Sequence, residues 1–392
     1  MTDVYVIGVG MTRFGRHPDR DAVDLAAEAI REAVRDADLD PRRIEAAYCG
    51  HVYGGMVLGQ RVLAQVGLAG IPLVNVENAC SSGASAVREG FLGIRAGEYD
   101  VVLAFGTEHL TTRFRGALTP GENDLEAALG LTMPAVYAMR AVRHMAEFGT
   151  TREELAYVSV KNKRNASLNP YAQFRNPITV EDVLNSRPIA EPLRLLDCCP
   201  VSDGAAAVVL ASERVVRQIG RARAVRLLAA SLRTGTVEVG LPSMAFESLT
   251  HVTAQDAYQR AGIGPEEVDF AEVHDCFSIA EVLRVEGLGL YPVGEYPKRA
   301  ARGEADIGGR LPINPSGGLL GKGHPLGATG VAQVVELVRQ LRGGGGTAAD
   351  PQSARGARAL SGRKGRGDRG SCVYRAHRRT VRGCGTRYPS GA

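Results

Sequence analysis

Covalent attack on a carbonyl needs a thiol held as thiolate, a partner for its proton, and backbone that lets substrate come close. The stretch Asn78-Ala79-Cys80-Ser81-Ser82-Gly83-Ala84-Ser85-Ala86 offers the thiol. It follows a mostly apolar run, Ile71 to Val76, which predicts a short buried strand, and it opens a Gly-, Ala- and Ser-rich helix ending near Ala96. Cys80 thus falls at a helix N-terminus, where unpaired N–H groups and the macrodipole favour the thiolate. A lone cysteine at such a junction more often only packs between elements, so its company decides.

Two further stretches supply that company. Glu272-Val273-His274-Asp275-Cys276-Phe277-Ser278 places an imidazole and a second thiol at the end of a predicted strand. Asn314-Pro315-Ser316-Gly317-Gly318-Leu319-Leu320-Gly321-Lys322-Gly323-His324-Pro325-Leu326-Gly327-Ala328-Thr329-Gly330 carries a second histidine ahead of an apolar-periodic helix, Val331 to about Leu341. A thiol with a histidine to activate it is the minimum for acyl transfer. The second thiol can exchange a proton with substrate, and the second imidazole can donate to a developing oxyanion. Ser316, Gly317, Gly318 and Gly323 are candidate substrate-binding positions, since glycine lets backbone approach a ligand. His274-Asp275-Cys276 lacks a second pair at zinc spacing, so no metal is expected. Cys198-Cys199 reads as structural, and Gly8, Gly10 and Gly15 are misplaced for a dinucleotide loop.

The elements that must position these residues alternate. Val4–Val9, Ile44–Gly50 and Val101–Phe105 predict strands, while Ala22–Ala37 (with Asp21 as cap) and about Gln60–Leu68 predict helices. The pattern implies a mostly parallel sheet covered on both faces. From about 107 to 200 it loosens into an insertion with helices at Met133–Phe148 and Arg152–Lys163, where Met139, Met145 and Phe148 read as packing; Gly204–Ala211 returns to a strand. Leu39-Asp40-Pro41-Arg42-Arg43-Ile44-Glu45-Ala46-Ala47 is echoed by Ile263-Gly264-Pro265-Glu266-Glu267-Val268-Asp269-Phe270-Ala271, each copy running into a strand. Two alike halves follow, 1–221 and 222–342, with a tail at 343–392.

Composition bounds the function classes. The 392 residues are 44% hydrophobic and 23% charged, ordinary for a globular enzyme. No signal peptide and no run long enough to span a membrane is evident. Seven scattered cysteines argue for reduced thiols in a cytoplasm. From Gly343 on there are eleven Lys and Arg against Asp350 and Asp368, which leaves 36 basic against 41 acidic groups before it. A mildly acidic body with a basic appendix is not a nucleic-acid-binding profile.

Asn-Ala-Cys-Ser-Ser-Gly at 78–83, His-Asp-Cys-Phe at 274–277, and Ser-Gly-Gly through Gly-His-Pro-Leu-Gly-Ala-Thr-Gly at 316–330 together resemble the thiolase superfamily. The resemblance is to its sterol-carrier-protein and lipid-transfer branch, and Val201-Ser202-Asp203-Gly204-Ala205-Ala206-Ala207 matches the segment entering the last strand of the N-terminal half. It covers roughly residues 3 to 342. It implies a duplicated five-layer αβαβα fold, a homodimer or homotetramer, and an acyl-CoA C-acyltransferase of lipid metabolism. Such an enzyme cleaves a 3-oxoacyl-CoA with coenzyme A, or runs the reverse Claisen condensation, without a permanently bound cofactor. By the same resemblance Cys80 is acylated, His324 takes its proton and contacts the thioester oxygen, His274 donates to that oxygen, and Cys276 is the acid/base at the acetyl carbon. Two alternatives are aldolase-type cleavage of a steroid CoA thioester and a non-catalytic subunit stabilising a small zinc-ribbon/OB-fold partner.

The family continues past the His324 helix with two buried strands and a Gly-rich turn that supplies an oxyanion donor. Here Gly343-Gly344-Gly345-Gly346 leads into an Arg-, Gly- and Ser-rich tail, and Cys384-Gly385 only faintly echoes that turn. The expectation is that the C-terminal strands are missing and that 343–392 is disordered or the product of a frameshift. Loss of the donor would lower turnover by about two to three orders of magnitude.

Overall fold

The computed structural model describes residues 2–116, 118, 125–220, 222–235, 243–343, 358–364 and 371–377. The first half runs β1 (Val4–Met11), α1 (Ala22–Ala37), β2 (Ala46–Gly50), α2 (Leu58–Val66), β3 (Leu73–Val76), α3 (Ser82–Ala96) and β4 (Val101–His109). The insertion then carries α4 (Leu125–Ala128), α5 (Met133–Phe148), α6 (Arg152–Leu168), α7 (Val180–Asn185) and a ribbon of β5 (Pro188–Ala190) and β6 (Leu193–Arg194). β7 (Asp203–Ser212) and α8 (Glu213–Ile219) close this half. The second half runs β8 (Val225–Arg233), α9 (Ser248–Ala261), β9 (Phe270–Val273), α10 (Ser278–Gly287), α11 (Tyr296–Ala301), α12 (Gly318–Lys322), α13 (Leu326–Leu341), β10 (Arg358–Lys364) and β11 (Ser371–His377).

The strands form one curled sheet in the order β3-β2-β4-β7-β1-β8-β11-β10-β9. Its two halves repeat one plan. In the first, β3, β2 and β4 pair in parallel and β7 runs antiparallel to both β4 and β1, so four of five strands point one way. In the second, β9 and β10 pair in parallel, β11 opposes β10 and β8, and Ile313 bridges Ala271 in parallel where β3 lies in the first half. The repeated Asp40/Gly264 segments both become a single 3-10 turn, Pro41–Arg43 and Pro265–Glu267, ahead of β2 and β9. β1 and β8 pair only over Val4–Val6, and there the sheet turns from one half to the other.

Helices make the remaining layers. α1 and α2 cover the outer face of the first half, α9 and α10 that of the second. α3 and α13 lie between and pack on each other. α13 is buried from Leu326 to Val338 without a break, the mark of a helix enclosed on all sides. Val87, Phe91, Ile94, Val331, Val335 and Val338 join Val6, Val102, Val208 and Leu210 in that central core. The closeness of the pair depends on glycine. A Cβ on Gly83 would lie 2.2 Å from the Gly327 oxygen, and one on Gly330 would lie 2.4 Å from the Ala84 nitrogen.

Asp21 caps α1 by accepting from Val23 and Asp24 N–H, as its position predicts. The strand predicted as buried at Ile71–Val76 is instead the half-exposed sheet edge β3, with Val74 53% exposed, because it is the outermost strand of the order. Met139 is 43% exposed rather than packed. Between β8 and β9 the sheet order runs through β11 and β10. β11 pairs with the β8 edge and β10 with the β9 edge, a pairing that extended backbone of any composition can make. The rest of the tail, including Cys384-Gly385, lies outside the described residues. Among the described residues no helix is long and apolar enough to cross a membrane.

Candidate active site

The shared plan of the halves brings two helix N-termini together. Cys80 ends the turn from β3 into α3, and His324 ends the loop into α13. Ala79 adopts φ +45°, a left-handed conformation that costs an L-residue about 1–2 kcal/mol. Serine and asparagine side chains hold that turn. The Ser82 hydroxyl donates to the Ala79 carbonyl (2.7 Å) and accepts from Asn78 N–H (2.9 Å), while the Asn78 amide donates to the Ser85 hydroxyl (3.0 Å). Ser81 and Ser82 are fully buried, and Cys80 before them is half-buried. The helix proper starts at Ser82, so Cys80 stands just ahead of its first turn.

The Cys80 sulfur and one nitrogen each of His274 and His324 lie within 4.8 Å of one another. The two rings meet edge to face, centroids 4.9 Å apart. Both histidines are buried. His324 is fixed at two points. Its backbone N–H donates to the Ser202 hydroxyl (3.0 Å), and its Nδ1 lies 2.8 Å from the Thr329 hydroxyl. Thr329 donates to the Pro325 carbonyl (2.8 Å), so its oxygen accepts from Nδ1–H. That assignment puts the ring's lone pair on Nε2.

Cys276 is buried two residues after His274. The Tyr137 hydroxyl hydrogen-bonds its thiol and accepts from the Arg284 guanidinium (3.0 Å), and the Tyr137 ring stacks on Phe277 at 4.7 Å. Burial pushes Tyr137 up to about 12, with the Cys276 thiolate adding to it. Arg284 is wholly buried and pairs with Glu247, which also takes Arg140 at 2.7 Å. Cys199, which the sequence predicts to be structural, belongs to the wall of the site. Its N–H donates to the Cys276 carbonyl (3.0 Å), and burial raises its pKa well above normal, with Cys276, Cys198 and Cys80 adding to the effect.

Beneath the His274 turn runs a buried polar network. Asp275 accepts from Leu319 N–H (2.6 Å), Leu320 N–H (3.2 Å) and the Asn162 amide (2.7 Å), tying the His274 turn to the start of α12. Glu281 takes Lys161 at 3.0 Å together with Asn162 (2.7 Å) and Asn314 (2.8 Å). Ser316, Gly317, Gly318 and Gly323 all lie in the loop this network braces. Ser316 bonds both oxygens of Glu272 (2.9 and 2.7 Å). Gly318 adopts φ +56° with Asp275 so close that a Cβ would lie 2.2 Å from its carboxylate. The contacts of Ser316, Gly317 and Gly318 are therefore with Glu272, Ala166 and Asp275, while Gly323 abuts Ser202 beside His324.

Residues 4–214 match the thiolase N-terminal domain and residues 240–367 the thiolase C-terminal domain-like family. The chain is 41% identical over 343 residues to the benzoylsuccinyl-CoA thiolase subunit BbsB of Thauera aromatica, covering 86% of this chain and 89% of that protein. It is 42% identical over 355 residues to an acetyl-CoA acetyltransferase of Methanothermobacter thermautotrophicus, covering 88% and 92%. The chain belongs to the thiolase family. Rabbit sterol carrier protein 2 is 40% identical over 364 residues, 88% of this thiolase and 66% of that protein. Among solved structures, the Ltp2-ChsH2(DUF35) aldolase superposes with a TM-score of 0.82 at 27% identity, covering 95% of this chain and 97% of that one. Human mitochondrial 3-ketoacyl-CoA thiolase shares the fold with a TM-score of 0.73 at 21% identity, over 96% and 98% of the chains. The family match runs to residue 367, past the limit of about 342 that the motifs set.

Proposed function

We propose that this thiolase is an acyl-CoA C-acyltransferase working through a Cys80 acyl-enzyme, with coenzyme A as a substrate and no permanently bound cofactor. The observation that carries the reading is the convergence of Cys80, His274 and His324 within 4.8 Å. The His324 Nε2 lone pair takes the thiol proton, and the sulfur attacks the 3-oxo carbon of a 3-oxoacyl-CoA. His274 and the protonated His324 donate to the substrate oxygens as charge develops. The bond between carbons 2 and 3 breaks, its electron pair stays on carbon 2, and the Cys276 thiol protonates that carbon to give acetyl-CoA. The thiol of a second coenzyme A then attacks the acyl group, releases it as acyl-CoA and restores Cys80. The Tyr137 hydroxyl, polarised by Arg284, stabilises the Cys276 thiolate between these proton transfers. Gly323 contacts substrate through its backbone beside His324, whereas Ser316, Gly317 and Gly318 shape the loop.

That the Thauera relative is a thiolase subunit and that the Ltp2-ChsH2(DUF35) aldolase pairs two proteins favour a second reading for assembly. On that reading a small partner of DUF35 type joins a homodimer of this chain in the cytoplasm, and the substrate is a lipid- or aromatic-derived CoA thioester. Aldolase-type cleavage remains the competing chemistry, and dependence on Cys80 separates it. Coenzyme A-dependent loss of acetoacetyl-CoA, followed by the thioester signal, is expected for the wild type. Cys80→Ala is expected to lose at least about a thousandfold in kcat. Equal rates in the two proteins would overturn the assignment.

A further inference from the structure

The three side chains that meet in the site are also a ligand set for a metal. We propose that Cys80, His274 and His324 form a reversible binding site for a borderline-soft divalent cation of the zinc class, whose occupation shuts off acyl transfer. One thiolate and two imidazoles are donors that Zn²⁺ prefers, while Mg²⁺ and Ca²⁺ demand oxygen ligands. The donor atoms already lie within 4.8 Å of one another. A tetrahedral ion with bonds of about 2.0–2.3 Å needs its donors roughly 3.3–3.6 Å apart, so side chains must close by about an ångström.

The surroundings decide which of them moves. His324 is held from behind, because its Nδ1–H is committed to Thr329 (2.8 Å), and this is the supporting contact that metal-binding imidazoles ordinarily have. Nε2 is then the ligand atom. His274 and the half-buried Cys80 close toward it. Three protein ligands leave the fourth position for water, and the ion's path in is the one by which substrate reaches the sulfur. Binding releases the thiol proton. It also ties up the sulfur and the Nε2 lone pair together, so bound metal and acyl-enzyme exclude each other.

Titration calorimetry of the whole chain with Zn²⁺ as the probe tests this without relying on turnover. The expected result is one chelator-reversible site, weakened in Cys80→Ala and His324→Ala by more than the roughly 10–100-fold carried by a supporting group. Co²⁺ in place of Zn²⁺ is expected to give tetrahedral d–d bands with a sulfur charge-transfer band that vanishes in Cys80→Ala. Because a histidine variant could fail to fold, the same site is probed in the wild type by iodoacetamide labelling and peptide mapping. Zn²⁺ should protect Cys80 specifically, and chelator should restore labelling. Undiminished labelling of Cys80 at saturating Zn²⁺, or zinc binding unchanged in Cys80→Ala, would overturn the proposal. Either failure leaves the acyl-transfer reading standing, and an inactive wild type leaves the binding result standing.

Discussion

Thr329 shows how a residue that never touches substrate sets what the site can do. By accepting from Nδ1–H of His324 it selects the tautomer whose Nε2 is basic. Thr329→Val keeps the shape of the side chain and removes the acceptor. We expect kcat to fall about 10–100-fold with KM little changed, measured by steady-state thiolysis. A matched drop in kcat and rise in KM would point to a disturbed loop instead. Cys80, His274 and His324, which the structure brings together, were legible in the sequence because each sits in a short motif of unusual composition. Thr329 was in view in Gly-Ala-Thr-Gly but gave no signal of its own, since its role depends on a contact across a helix turn. Tyr137, Arg284 and Cys199 were silent for a similar reason. Tyr137 and Cys199 meet Cys276 from α5 and the end of the insertion, Arg284 backs Tyr137 from α10, and nothing local marks the meeting.

At the scale of elements, α6 is the most instructive. The sequence predicts its helix over Arg152–Lys163, and the structure adds a capping box of Thr151 with Glu154. Farther along it, Lys161, Asn162, Lys163 and Asn165 are polar yet buried, while Arg164 stays exposed. Hydrophobic periodicity cannot find such a face, because what covers it is Glu281, Asp275 and Asn314 rather than apolar side chains. Lys161→Met would strand the Glu281 carboxylate in a buried site. We expect a loss of about 3–5 kcal/mol in unfolding free energy by denaturant titration. The crossing of α3 and α13 makes a second prediction. Gly330→Val would force the helices apart at Ala84, costing about 1–3 kcal/mol. Since Cys80 and His324 sit at the heads of these helices, activity should fall further than the loss of folded protein explains, as an assay run well below the melting temperature would show.

For the whole molecule, the duplication is the organising fact, and one short repeat before β2 and β9 was enough to suggest it. The order of strands was not legible, because it is fixed by contacts between halves. Glu108 lies at that junction. It is buried, accepts from Val52, Tyr53 and Gly327 N–H at 2.9–3.1 Å, and so links β4 and the Val52 loop to the head of α13. Burial outweighs these donors and pushes its carboxyl from 4.5 up to about 7. Between those values the folded chain holds a proton that the unfolded chain has lost, so stability falls as pH rises through the window. The full effect is about 3 kcal/mol, to be read from denaturant unfolding at about pH 5 and pH 8, and Glu108→Gln should flatten that part of the slope.

On the proposed reading, the two halves together deliver Cys80 to an acyl group beside His324 and His274. Intact-mass and peptide mapping after brief mixing with acetoacetyl-CoA, quenched in acid before coenzyme A is added, test it directly. One acetyl group per chain is expected, on Cys80, and absent when coenzyme A is added before the quench. An active wild type that carries no such adduct, or carries it on another cysteine, would contradict it.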